Sequence, residues 1–452
     1  MDHHDLHIAI DELFPSAQTD LERLIRIPSV SADGFDPAWV RESADTIVDL
    51  YRHAGFPQVR LLEIDGAHPA VFAEYSAPPG APTVLLYAHH DVQPPGDQDE
   101  WNQAPFQPLE HDGRLYGRGS ADDKAGVLMH SLAFRAHRGS PPVGVKVIVE
   151  GEEEIGSAHL GDFIREYREL LAADVIVIAD SANWRLGQPA LTTSLRGLVD
   201  CIVEVRTLQQ AVHSGMFGGA APDALTALSR LLATLHDTDG NVVVPGLVSG
   251  EAPQLDLSEE EFRRQAGILD GVDLLGEGTL TSRLWTRPAV SVLGLDAPRV
   301  AGSINQLIPV ARARVSVRIA PGDHPARAME ALVAHLENNA PWGAHVTVTR
   351  GAKGEAFALE TEGPATDAFL TAFREAWGTE GVSIGVGGSI PFVAAFAEAY
   401  PEASILLTGV VDPAAGMHAP NESVHLDEFR KAALAEAIAL RLLAESSYGF
   451  GA

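Results

Sequence analysis

Short apolar runs alternate with longer amphipathic stretches over much of this chain. Thr83-Val-Leu-Leu-Tyr-Ala88, Val145-Lys-Val-Ile-Val149, Val175-Ile-Val-Ile178 and Ile405-Leu-Leu407 are nearly continuous in apolar character. Runs of this length suit strands covered on both faces. Helical periodicity lies between them, over Lys124 to His137 and Gly161 to Leu171. The opening residues read as helical too: Leu21, Leu24, Ile25 and Ile27 recur at helical spacing until Pro28 ends the pattern. Alternating β and α elements imply a layered α/β domain.

The middle of the chain obeys another rule. Asp200-Cys-Ile-Val-Glu-Val-Arg206 and Ala313-Arg-Val-Ser-Val-Arg-Ile319 alternate apolar with polar, the mark of strands with one solvated face. A helix is expected after each, over Pro222 to His236 and Pro325 to Asn338. The plan is β-α-β-β-α-β, a ferredoxin-like α+β domain with an insertion near residues 238–285. We expect it to interrupt the first domain, giving segments 1–188 and 358–452 of one domain around 189–357 of the other. The final helix, Leu426 to Ser446, returns to the first. No repeat or low-complexity tract appears.

Composition narrows the function. Apolar residues make up 46% and charged residues 21% of the 452, as in ordinary globular proteins. The net charge of −30 repels phosphate backbones and anionic lipid, so neither nucleic acid nor membrane is an expected partner. The single cysteine, Cys201, excludes an intramolecular disulfide and reads as a buried strand thiol. The N-terminus has no basic n-region or apolar h-region, and no apolar run reaches the length of a membrane span, so a cytoplasmic location is expected. His3, His4 and His7 read as a mobile terminus.

The residues just past each apolar run carry the chemistry. His89-His90-Asp91 ends the first run, Glu152-Glu153-Glu154 the second and Asp180 the third, and Asp122-Asp123 precedes the helix at Lys124. Taken singly, the Glu run reads as a solvated turn, the Asp pair as a helix cap and His89 as a satisfied core histidine. Taken together, they fall at one edge of one predicted sheet, the carboxyl edge where α/β sheets bind ligands. Clustered carboxylates repel unless cations neutralise them, and His with Asp/Glu suits zinc, with manganese or cobalt as competitors. A carboxylate bridging two such ions would make a two-metal hydrolase site.

The motifs Tyr87-Ala-His-His-Asp-Val-Gln-Pro94, Gly117-Arg-Gly-Ser-Ala-Asp-Asp-Lys-Ala-Gly126 and Glu150-Gly-Glu-Glu-Glu-Ile-Gly-Ser157 resemble those of the dinuclear zinc peptidases of the M20 group, nearest to its carnosinase-like cytosolic dipeptidases. Leu24-Ile-Arg-Ile-Pro-Ser-Val-Ser31, Val212-His-Ser-Gly215, Gly387-Gly-Ser-Ile-Pro391 and Gly416-Met-His-Ala-Pro-Asn-Glu422 extend the likeness. The resemblance implies a mixed-sheet catalytic domain with helices on both faces and an inserted lid and dimerisation domain, so that a homodimer is expected. It implies two divalent ions per subunit, most readily zinc. His89 and Asp180 would hold one, Glu154 and His418 the other, with Asp122 bridging. Asp91 would orient His89, and Glu153 would be the general base toward a metal-bound water. His213 would stabilise the oxyanion from the neighbouring subunit, Arg318 would bind the substrate carboxylate, and Gly388, Ser389 and Asn305 would complete the substrate site.

Two positions bear on substrate. Relatives of the carnosinase type often carry an acidic residue just before the Gly-Gly-Ser, where this chain has Val386. Asp rather than Glu at position 180 tends to accompany amino- and dipeptidases, which favours dipeptides with a free amino end. An N-acyl amino acid amidohydrolase with the same metals is the alternative, a catalytically inert metal-bound scaffold a further one, and a two-metal phosphoesterase is disfavoured by the charge and the lack of a P-loop.

Overall fold

The computed structural model of the chain describes residues 3–359, 361–388 and 391–445. Two compact units form. Met1–Thr193, Leu359–Ile384 and Pro391–Ala452 make the first, and Ser194–Ala358 with Gly385–Ile390 make the second.

The first unit is a mixed sheet between helices. In spatial order its strands include Gln58–Leu62, Ala70–Tyr75, Gly144–Glu150, Thr83–His89, Val175–Ile178, Ser404–Leu407 and Ala190–Leu195. The middle four are parallel to their neighbours in that group, and the outer pairings are antiparallel. The expected central strands are all present, and Val84, Leu85, Leu86, Val147, Ile148, Val177 and Ile178 are fully buried. Each such side chain contributes roughly 1.5–3 kcal/mol by leaving water. Register then aligns the strand ends: His89 lies opposite Glu150 and Tyr87 opposite Ile178. One edge of the sheet therefore receives His89, the Glu152–Glu154 turn and Asp180.

The helix Lys124–Ala136 is buried on almost its whole circumference, because it packs against the strand Thr83–His89 and the helices His4–Ile25, Ala38–Ala54 and Leu426–Glu445. Its one buried imidazole, His130, is satisfied from both sides. Nδ1 meets the Glu436 carboxylate at 2.8 Å, and Nε2 meets the Tyr87 carbonyl at 3.1 Å. The helix expected over 161–171 is divided into Leu160–Glu166 and Arg168–Leu171 at Tyr167. The expectation of a mobile N-terminus is corrected. The first helix starts at His4, and buried His3 bonds Glu375 through Nδ1 at 2.6 Å, which ties the start of the chain to the helix Pro364–Trp377.

The second unit holds a four-stranded antiparallel sheet in the order Ala289–Asp296, Val310–Ile319, Gly197–Arg206, His345–Gly354. The helices Ala224–Ala233 and Pro325–Asn338 complete the β-α-β-β-α-β order expected of a ferredoxin-like fold. Alternation has the expected result: Val199, Cys201, Val203 and Val205 are buried in one core with Val315, Val317 and Ile319. Burial pushes the Cys201 thiol up to about 11, so it is an inert core group. The edge strand Ala289–Asp296 leaves Val292, Leu293 and Leu295 exposed. Among the described residues no helix is long and apolar enough to cross a membrane.

Candidate metal and active site

The strand ends bring four of the five expected ligands into two overlapping groups. In each of His89–Asp122–Glu154 and His89–Glu153–Asp180 one donor atom per residue lies within 4.8 Å of the others. His89 is fully buried at the end of its strand, with Nδ1 3.1 Å from the Asp91 carbonyl. A carbonyl only accepts, so the neutral ring carries its proton on Nδ1 and turns the Nε2 lone pair to the cluster. Nε2 is 2.9 Å from Asp122 Oδ1, while Asp122 Oδ2 is 3.0 Å from His418 Nε2. The two oxygens of Asp122 thus face two different imidazoles. His418, the fifth expected ligand, also meets Glu154 Oε2 at 3.2 Å and sits at φ 60°, uncommon for a residue with a side chain.

Behind these groups stands a layer of buried hydrogen bonds. Asp91 Oδ2 accepts from Ser31 Oγ at 2.6 Å and from the Glu154 amide at 3.1 Å, and Oδ1 accepts from the Glu153 amide at 3.2 Å. One carboxylate therefore fixes the Glu turn and lies 3.4 Å from His89 Nδ1. Gln93 holds the Glu154 carboxylate through its backbone amide at 3.0 Å and its side-chain amide at 2.8 Å, and the same side chain donates to the Glu154 carbonyl at 3.1 Å. Glu422, fully buried, accepts from the amides of Gly119, Ala121 and Asp122 at 2.9, 2.9 and 3.1 Å and pairs with Arg118 at 2.8 Å. Lys124 Nζ donates to the carbonyls of Leu24 and Ile27 at 2.9 and 2.8 Å, anchoring the Asp122 loop to the end of the first helix. Sequence reasoning assigns no role to Ser31, Gln93, Lys124 or Glu422. Each lies inside one of the family-like motifs, and that is the only signal the sequence offers for them.

The single-feature alternatives do not describe the site. Asp123 makes no side-chain cap on the helix it precedes, and Glu152 is buried against the His68 amide and His159. Electrostatics shows what the cluster lacks. Burial and the charges of Asp180 and Glu154 push Glu153 up to about 9, and burial with Asp122 and Glu154 pushes Asp180 up to about 7. Burial alone would lower His89, yet Asp122 and Asp91 hold it well above the ordinary imidazole range. The side chains are short of positive charge, and an all-oxygen and nitrogen donor set fits divalent cations of the zinc type. One ambiguity concerns adjacent glutamates. The second group includes Glu153, but Glu154 is clamped by Gln93 and faces His418, whereas the Glu153 carboxylate makes no hydrogen bond among the described residues.

The remaining expected residues lie in the second unit. His213 pairs with Gln306 in a two-residue ladder, and the amide of Ser214 bonds the Asn305 carbonyl at 3.1 Å, so His213 and Asn305 are neighbours. Both are exposed. His213 Nδ1 accepts from the Gly215 amide at 3.0 Å, which leaves Nε2 as the protonated, outward donor of the neutral ring. Arg318 is half-buried on the strand Val310–Ile319, and Gly388 belongs to the same unit. Ser389 lies outside the described residues.

A family model described as Peptidase family M20/M25/M40 matches residues 85–441. The chain is 36% identical over 431 residues to a cysteinylglycine-S-conjugate dipeptidase of Corynebacterium striatum, covering 92% of this chain and 94% of that protein. It is 30% identical over 426 residues to the human Beta-Ala-His dipeptidase, covering 89% and 82%. Among solved structures, human carnosine dipeptidase 1 matches with a TM-score of 0.77 at 26% identity, over 98% of each chain.

Proposed function

Because the chain belongs to peptidase family M20/M25/M40, we propose that it is a metal-dependent dipeptidase that hydrolyses the peptide bond of unblocked dipeptides. The observation that carries this reading is the meeting of His89, Asp122, Glu154, Asp180 and His418 at one sheet edge, with Asp122 turned to both imidazoles. His89 and Asp180 would hold one ion, Glu154 and His418 the other, and Asp122 both; zinc is the ion that best suits the donors. When bound, the ions supply Lewis-acid polarisation of the scissile carbonyl and of water.

The chain's own groups do the rest. Asp91 keeps the His89 ring in one tautomer and the Glu turn in place. Glu153 accepts a proton from the attacking water on its carboxylate and hands it to the departing amine. His213 donates from Nε2 to the oxygen that gains charge, Arg318 receives the substrate carboxylate, and Asn305, Gly388 and Ser389 border the substrate. In this reading the inserted unit is a lid and dimerisation domain, and two copies pair through it. The exposed apolar edge strand Ala289–Asp296 supports such pairing, since bare edges of this kind are normally covered. The enzyme works in the cytoplasm.

Turnover of a dipeptide panel beside the same dipeptides N-acetylated tests the reading. Hydrolysis of the unblocked forms is expected. Exclusive hydrolysis of the acylated forms would convert the reading to the deacylase alternative, which uses the same metals.

A further inference from the structure

Glu154 and His418, the pair assigned to one ion, are held very unequally. The Glu154 side chain is 3% exposed and clamped by Gln93, whereas that of His418 is 54% exposed. Both contacts of the His418 ring run from Nε2 to fellow ligands, Asp122 and Glu154, and among the described residues its Nδ1 has no hydrogen-bond partner. His89 differs, since its Nδ1 rests on the Asp91 carbonyl. The aim of His418 therefore has to come from its backbone. That backbone is a short loop, residues 416–421, closed at its base where the Ser423 amide donates to the Ala415 carbonyl at 2.8 Å. Gly416, His418 and Asn421 all have positive φ, at 68°, 60° and 64°. Asparagine accepts that conformation more readily than most residues with a side chain. The Asn421 amide reaches out of the loop in two directions: Oδ1 accepts from the Asn102 backbone amide at 2.7 Å, and Nδ2 donates to the Glu100 carbonyl at 3.0 Å. Among the described residues, His418 and Asn421 are the side chains of this loop that bond another part of the chain.

Glu100 and Asn102 lie at the far end of a segment that begins at Gln93. The segment is tied to itself and to the site. Trp101 Nε1 donates to the Pro95 carbonyl at 2.8 Å, the Arg118 guanidinium lies 5.3 Å from the centre of the Trp101 ring, and Gln93 grips Glu154. We propose that Asn421 is a positioning residue, a latch that fixes the His418 loop against the segment carrying Gln93 and so sets the spacing of Glu154 and His418, the two ligands of one ion. In this it rests on the two-ion reading of the site. One amide side chain receives a backbone N–H and gives a proton to a backbone carbonyl two residues away, and asparagine combines that with a left-handed backbone. Holding two donors at a fixed spacing removes part of the ordering cost that binding would otherwise carry. The competing role, a plain brace of an outer loop, would stabilise the fold without preferring one ion over the other.

Asn421→Gly removes the latch and keeps the positive φ without strain. Zinc affinity of the full chain is read by competition against chelators of graded strength. One ion should be held about tenfold more weakly, the lower end of the usual effect of losing an outer partner, and the other as before, while saturating zinc restores turnover. In a His418→Ala chain the latch has nothing left to aim, so adding Asn421→Gly should weaken zinc no further. Equal weakening of both ions, no weakening of either, or a full further loss in the His418→Ala chain overturns the proposal. If the unaltered chain takes up fewer than two zinc ions, the two-ion reading fails. The latch is then judged by amide hydrogen exchange of the metal-free protein. Asn421→Gly should speed exchange at the backbone amides of both Asn102 and Gln93. Faster exchange confined to Asn102, or none, overturns the latch.

Discussion

In the first unit His89, Glu154 and the loop of Asp122 are gripped by their own neighbours, whereas in the second unit the chemical groups stand nearly alone. Asp91 has four contacts around its carboxylate, Glu154 has the two arms of Gln93, and the loop of Asp122 hangs on Glu422. Arg318 has no ion pair among the described residues, and His213 is exposed with one bond to Gly215. A preorganised cluster needs only its ions. A group left without partners needs something from outside its own unit, a ligand or a second copy. The difference separates what this fold carries before substrate arrives from what substrate completes.

Metal removal tests the first half of that contrast and should have the largest effect. Chelation is expected to abolish turnover, with zinc restoring it at two ions per subunit; a stoichiometry well below two would break the assignment. The stripped protein should also show a pH signature. Burial and neighbouring carboxylates raise Glu153 from 4.5 to about 9, so the folded chain binds a proton that the unfolded chain releases. That contribution is complete below the unfolded pKa and fades as pH rises toward about 9. Thermal midpoints of stripped protein should therefore fall across that window, and added zinc should raise them most at its upper end. A flat profile would show that the carboxylates relax apart without metal.

Glu153→Gln separates the base from the ligand beside it. Turnover should drop by roughly 10²–10⁴-fold, the usual share of a general acid–base group, with both ions retained. Loss of one ion would move Glu153 into the ligand set in place of Glu154.

His213→Ala probes the sparse region and should cost roughly 10²–10³-fold, as for an oxyanion donor. Mixing it with Glu153→Gln subunits decides where the donor comes from. Regained activity in mixed dimers means a site shared between subunits, because one site then holds an intact Glu153 and the partner's intact His213. Verified mixed dimers that stay inactive would place both groups in one chain.

The contrast also explains how much of the molecule is legible in its sequence. Strand placement is legible because successive residues, Val84 and Leu85, Val147 and Ile148, Val177 and Ile178, are all buried, so both faces of each strand are covered, and the ligands come with it because they sit where those runs stop. The supporting layer is not legible. Ser31, Lys124 and Glu422 meet the site across separations of 60, 97 and 303 residues, as in Ser31 to Asp91, Lys124 to Ile27 and Glu422 to Gly119. No local pattern encodes such pairing. The terminal histidines mislead for the same reason: His3 looks solvated until Glu375 is brought beside it.

Glu422→Gln makes the smallest change and tests whether that supporting layer governs metal affinity or only stability. Three amides converge on the two carboxylate oxygens, and Arg118 pairs with one of them. A glutamine offers one oxygen and one amino group, so at least one backbone N–H would face another donor, and Arg118 would lose its counter-charge. Asp122, whose own amide is one of the three, should then be less firmly aimed. Zinc affinity is expected to fall about tenfold to a hundredfold, the usual effect of losing such an outer partner, while saturating zinc recovers most turnover. Competition against a chelator of known strength reads the affinity, and the thermal midpoint in saturating zinc reads the fold. A lowered midpoint with unchanged affinity would mean that Glu422 braces the loop without aiming Asp122, and the preorganisation of the first unit would then reside in Asp91 and Gln93.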